Sequence, residues 1–194
     1  MKKYIFPLSI GLFCPSLVHA HEAGHGGGFI DGLIHPVFGL DHFLAMISVG
    51  ILSSQMGGRA RWIVPSTFLG AMLVGGILGM QDMEMAWFPV ERGIAFSLLI
   101  LGVAVAASRK LPLVFAMSLV GLVALFHGYA HGDEMPGSGK PTLYACGFLC
   151  GAAAIHLVGL LAAWLAGVFN QGTQLLRYLG AAIAGIGFHV LYNM

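Results

Sequence analysis

Charge is what this sequence most lacks. Only 9% of its 194 residues are Asp, Glu, Lys or Arg, and 58% are hydrophobic. A soluble domain carries about 25% charged residues. The shortage excludes a large soluble domain between the apolar runs and makes the chain an integral membrane protein. No sign of charge dominates either: nine basic and eight acidic residues leave a net charge of +1. Nothing in that balance draws the chain to nucleic acid. Cysteine is scarce, and three of them make no disulfide framework. Cys14 falls in the leader, while Cys146 and Cys150 share a helix face as small packing residues. No phosphate-cradling loop is present, so the chain carries no ATPase of its own. No dedicated nucleophile or acid–base pair stands out, which argues against an enzyme.

What is abundant is apolar sequence, with 29 glycines spread through it. Residues 1–20 read as a secretory signal peptide: Lys2 and Lys3, an apolar core from Ile5 to Val18, and a small-residue cleavage site at Val18-His19-Ala20. An uncleaved first anchor is the alternative. The mature chain then starts His21-Glu22-Ala23-Gly24-His25, either a metal-capturing tail or a polar linker. Six apolar runs follow, predicting an all-α bundle of transmembrane helices near 34–55, 61–80, 87–107, 111–131, 142–167 and 174–193. Each can cross an apolar layer of about 30 Å at about 1.5 Å per residue. Pro36, Pro65, Pro89 and Pro112 all fall near predicted helix starts, where proline is tolerated. Gly75-x3-Gly79 and Gly147-x3-Gly151 have the spacing of close helix contacts.

Loop charges orient the bundle. Arg59, Arg61, Arg109, Lys110 and Arg177 fall on one side, and basic residues favour the cytoplasm. All eight acids, from Glu22 to Glu134, fall towards the other. Together with the leader, this places the mature N-terminus and the C-terminus in the periplasm, behind an acidic surface that attracts cations.

Ionisable groups are expensive in a bilayer and mark function by default. The first helix carries His35, Asp41 and His42. In a regular helix the two histidines share a face but stand about 10.5 Å apart along the axis. One ion is then held by Asp41 and His42, with His35 at the entrance or folded in beside Pro36. The fourth helix carries His127 and His131, whose i,i+4 spacing lets two imidazoles share a metal. His42 lies roughly 9 Å below the outer end of its helix, and Glu91, His127 and His189 about 6 Å below theirs. These depths form one layer. Glu91 is alternatively an ion-pair partner of Arg92, and His189 and His156 alternatively hydrogen-bonded packing residues. His156 lies deeper, as a station on a path inward. Met80, Met83 and Met85 would suit Cu(I), although methionine is common in apolar sequence. Spacing alone implies a divalent metal.

The chain resembles the HupE/UreJ family of bacterial membrane proteins. The resemblance rests on His35-Pro36-x-x-Gly39-x-Asp41-His42, Ala45-Met46-x-x-Val49-Gly50, Glu91-Arg92-Gly93-Ile94-Ala95-x-Ser97 and Phe126-His127-Gly128-x-Ala130-His131-Gly132. It implies a small helical bundle of the bacterial inner membrane that takes up Ni2+, or sometimes Co2+, for hydrogenase or urease maturation. It also implies metallochaperones or maturation proteins as partners. The first motif is similar to the His-x4-Asp-His signature of larger nickel/cobalt permeases, but five residues separate His35 from Asp41 here. The expectation is a secondary permease with His35, Asp41, His42, Glu91, His127 and His131 as its metal residues. A membrane storage or assembly factor that does not transport, and a metalloenzyme, are the other classes.

Overall fold

The computed structural model describes residues 27–81, 89–135 and 140–194. The leader, the His21–His25 tail, Met83 and Met85 lie outside the described residues. The described residues form seven α-helices: α1 (Phe29–Phe38), α2 (Leu40–Met56), α3 (Ala60–Gly79), α4 (Val90–Ala107), α5 (Leu113–Asp133), α6 (Pro141–Ala166) and α7 (Gly172–Tyr192). The last five are long and apolar enough to cross a membrane. Their large exposed side chains include Trp62, Phe115, Leu157, Trp164, Phe169 and Phe188. Scattered over a soluble protein these would be aggregation-prone, whereas here they form the surface that lipid covers.

The predicted first helix is two helices. α1 and α2 meet at an angle of 88°, and α1 starts at Phe29 rather than near 34. The hinge is Gly39, whose backbone is extended (φ −85°, ψ 105°) and ends one helix while opening the next. Local chemistry holds both starts. The Gly28 N–H donates to the Asp31 carboxylate at 3.1 Å, and the His42 N–H donates to the Asp41 carboxylate at 2.9 Å. Each acid thus satisfies a donor that a helix start leaves unpaired. A second correction concerns Pro65, which lies six residues into α3 and so beyond the first turn. The α-helical bond from residue 65 to the Arg61 carbonyl is therefore missing.

Backbone-to-backbone contact at glycine assembles the bundle. α3 and α5 interlock: a Cβ on Gly75 or Gly79 would strike the carbonyls of Leu125 or Tyr129, and one on Gly128 or Gly132 those of Met72 or Gly76. α1 is seated on α6 in the same way, with Gly147 and Gly151 against Phe29 and Leu33. α4 pairs with α7, and α2 runs against α6. Between these pairs lies a core of Met46, Val49, Val64, Phe68, Met72, Leu101, Val120 and Phe148.

Candidate metal centre

The turn at Gly39 decides where the first motif points. A straight helix would hold His35 and His42 two turns apart. Because α1 swings away, His35 approaches α5 from the side, and its Nε2 lies 3.1 Å from Nδ1 of His131. His42, on the first turn of α2, meets the same helix one turn deeper, with its Nδ1 3.3 Å from Nδ1 of His127. The His42 and His131 rings close the gap, their centroids 4.2 Å apart. The four imidazoles form a continuous row: His35, His131, His42, His127.

The glycines after each α5 histidine make the row possible. Gly128 and Gly132 press the α5 backbone onto α3, and His127 and His131, one residue round the helix, turn into the bundle. Both are buried, as is His42, while His35 is half-buried at the outer end of the row. Tyr144 and Phe148 of α6 pack on His35, and Phe148 also lies against His131 at 4.4 Å. The far end of the row rests on Ser97 of α4, whose Oγ is 2.9 Å from Nε2 of His127.

That last contact sets a tautomer. The Ser97 hydroxyl donates its hydrogen to the Ile94 carbonyl at 2.6 Å. Its oxygen can then only accept from His127, so the His127 proton sits on Nε2 and the Nδ1 lone pair faces His42. At the other end, Nε2 of His131 is buried without a hydrogen-bond partner. Beside His131 is a cavity of about 40 Å3, whose walls include Met72, Met80, Met135, Tyr144 and Phe148. A buried polar atom left unpaired costs free energy unless a ligand reaches it.

The spacing suits a shared cation. Two nitrogens each about 2.05 Å from one metal stand about 2.9 Å apart at a right angle and about 3.4 Å apart at the tetrahedral angle. The 3.1 and 3.3 Å separations lie within that range. A carboxylate stands near the outer pair: ligand atoms of His35, His131 and Glu134 lie within 4.8 Å of one another.

The six residues singled out from sequence thus divide. His35, His42, His127 and His131 come together. Asp41 is exposed, and its carboxylate receives the His42 N–H rather than pointing into the row. Glu91 is exposed on the first turn of α4, and that helix meets the row through Ser97 instead. His189 does not join the layer: it is exposed on α7 and pairs with Asn193. Ser97 and Glu134 were missed as site residues. Glu134 is i+3 from His131, the same spacing logic that singled out His127 and His131.

The family model described as HupE / UreJ protein matches residues 9–190. Protein HupE of Rhizobium leguminosarum bv. viciae is 41% identical over 181 residues, covering 93% of each chain. No solved structure matches. With its matched segment spanning the motifs of α1, α2, α4 and α5, the chain belongs to the HupE/UreJ family.

Proposed function

We propose that this protein is a secondary permease that imports a divalent transition metal, Ni2+ before Co2+, across the bacterial inner membrane. The observation that carries the reading is the row of four histidines, drawn from α1, α2 and α5 and spaced for shared coordination. Imidazole and carboxylate together suit a borderline divalent ion. A storage site would be served by one closed coordination sphere. A row offers successive positions, each strong enough to bind and weak enough to release, as conduction requires.

In this reading both termini are periplasmic and the acidic outer surface gathers cations, with Asp41 and Glu91 at the mouth. The ion binds first among His35, His131 and Glu134, then passes to His42 and His127. Neutral imidazole is the ligating form, and Ser97 keeps the lone pair of His127 aimed at the ion. Direction comes from an ion gradient or from trapping by metallochaperones that supply hydrogenase or urease. The test is cellular nickel accumulation with and without the protein, repeated with Asp41→Ala and with Co2+, Zn2+ and Cu as competitors. Nickel accumulation that depends on the protein and is blocked best by Co2+ among the competitors is expected. Intact binding with no accumulation would instead fit a membrane storage or assembly factor.

A further inference from the structure

His156 lies in α6, about 15 Å from that helix's inner end at 1.5 Å per residue. It is 2% exposed, and neither ring nitrogen has a hydrogen-bond partner. A neutral imidazole always carries one donor and one acceptor, so both are left unmet in the bundle interior. Buried polar atoms in that condition call for an explanation. Packing alone does not supply one, since an apolar side chain of similar volume would fill the same space without the desolvation cost.

Two further observations give His156 a context. Phe68 of α3 is fully buried and touches both histidine systems. Its ring centroid is 5.8 Å from that of His127 and 5.0 Å from that of His156, the second contact edge-on. A single aromatic ring thus separates His156 from the inner end of the row. His156 also lines a cavity of about 190 Å3 between α3 and α6, with Arg61, Ser66 and apolar residues that include Trp62, Leu157 and Leu160. The cavity runs from the middle of α6 to the first turn of α3, the end opposite the histidine row.

We propose that His156 and this cavity form a second cation position on the inner side of Phe68, which receives the ion from His127 and releases it inward. This rests on the permease reading. The His156 imidazole, Ser66 and water make a sparse ligand set for a divalent ion. The Arg61 guanidinium on the same wall opposes a resident cation. Both features make the position weak, and a weak final position is what release requires.

The test is equilibrium Ni2+ binding to the purified full-length protein, with Ni2+ uptake into proteoliposomes measured in parallel. Wild type, His156→Leu, His156→Gln and His156→Cys are compared, so that binding by the N-terminal histidines cancels. Wild type is expected to show a tighter and a weaker class of sites. His156→Leu and His156→Gln keep the tighter class and lose the weaker, and their uptake falls at least about tenfold, the usual cost of a lost metal contact. His156→Cys, which returns a metal-binding side chain, recovers both. Thermal unfolding midpoints identify any variant that fails to fold, and the remaining variants carry the comparison. The proposal is overturned if His156→Leu and His156→Gln keep the weaker class, or lose it without loss of uptake. Wild-type protein that binds in both classes yet moves no Ni2+ would sink the permease reading and, with it, the role of His156 in release. The weaker site itself would still be read from its dependence on His156.

Discussion

Nε2 of His127 lies 2.9 Å from Oγ of Ser97, and that serine donates to the Ile94 carbonyl. The pair holds the His127 proton on the side away from His42. Ser97→Ala removes the acceptor and frees the ring to carry its proton on Nδ1, where a metal must bind. Ni2+ affinity is expected to fall about tenfold or more, the usual scale when a ligand's hydrogen-bond partner is lost. Ser97→Thr keeps the hydroxyl and should stay near wild type. Titration calorimetry on the purified variants reads the difference, and an Ala variant that binds like wild type would refute the tautomer argument.

Glu134 and Glu91 should separate in their effects. Glu134 lies with His35 and His131, whereas Glu91 is exposed at the start of α4. Glu134→Gln should weaken equilibrium Ni2+ binding. Glu91→Gln should chiefly slow uptake at limiting Ni2+, by weakening the attraction of the outer surface, and high salt should mask that loss. Equal losses of equilibrium affinity would mean that Glu91 is itself a ligand.

These two acids show how far the sequence could be read. The apolar runs alone predicted five of the helices to within about three residues at each end. The i,i+4 pair on α5 was equally plain, because helix periodicity is local information. The turn at Gly39 was not. A 20-residue apolar run reads as one span, and only the packing of α1 onto Gly147 and Gly151 of α6 draws the chain sideways. From that turn follows the approach of His35 to His131. Ser97 and Glu134 were hidden for a related reason: a serine bonded to its own helix and an acid at a helix end are ordinary features until a neighbouring helix brings a histidine to them. The depth argument aligned His42 with His127 and also placed His189 in the layer. Depth does not say which way a helix face turns, and α7 turns His189 outward.

Packing at the α3–α5 contact is testable apart from metal. A side chain at Gly128 or Gly132 meets the α3 backbone, which cannot retreat as a flexible side chain could. Gly128→Val should lower stability by about 1–3 kcal/mol, the range for overpacked interiors, and should displace His127 and His131 with it. Gly185→Ala is the control, since nothing lies within 4 Å of a Cβ there. Thermal unfolding in detergent compares them. Equal midpoints would show that α3 and α5 are not in backbone contact.

Acidity outside the cell gives a further check. Each histidine must be neutral to ligate, and an ordinary histidine takes up a proton near pH 6.5. Metal and protons then compete for the same lone pairs, so uptake should fall as external pH is lowered and recover when neutrality is restored. In the proposed site more than one imidazole binds each ion, so the decline should be steeper than a single protonation allows. Uptake that rises as external pH is lowered would contradict histidine as the ligand.

The most direct measurement is Ni2+ flux into proteoliposomes that contain this protein and no other. Wild-type vesicles should accumulate Ni2+ down its gradient, and vesicles with His42→Ala or His127→Ala should fall to the level of empty liposomes while the variants remain folded. Wild-type flux no greater than that of empty liposomes, or normal flux through either variant, would contradict transport along the histidine row.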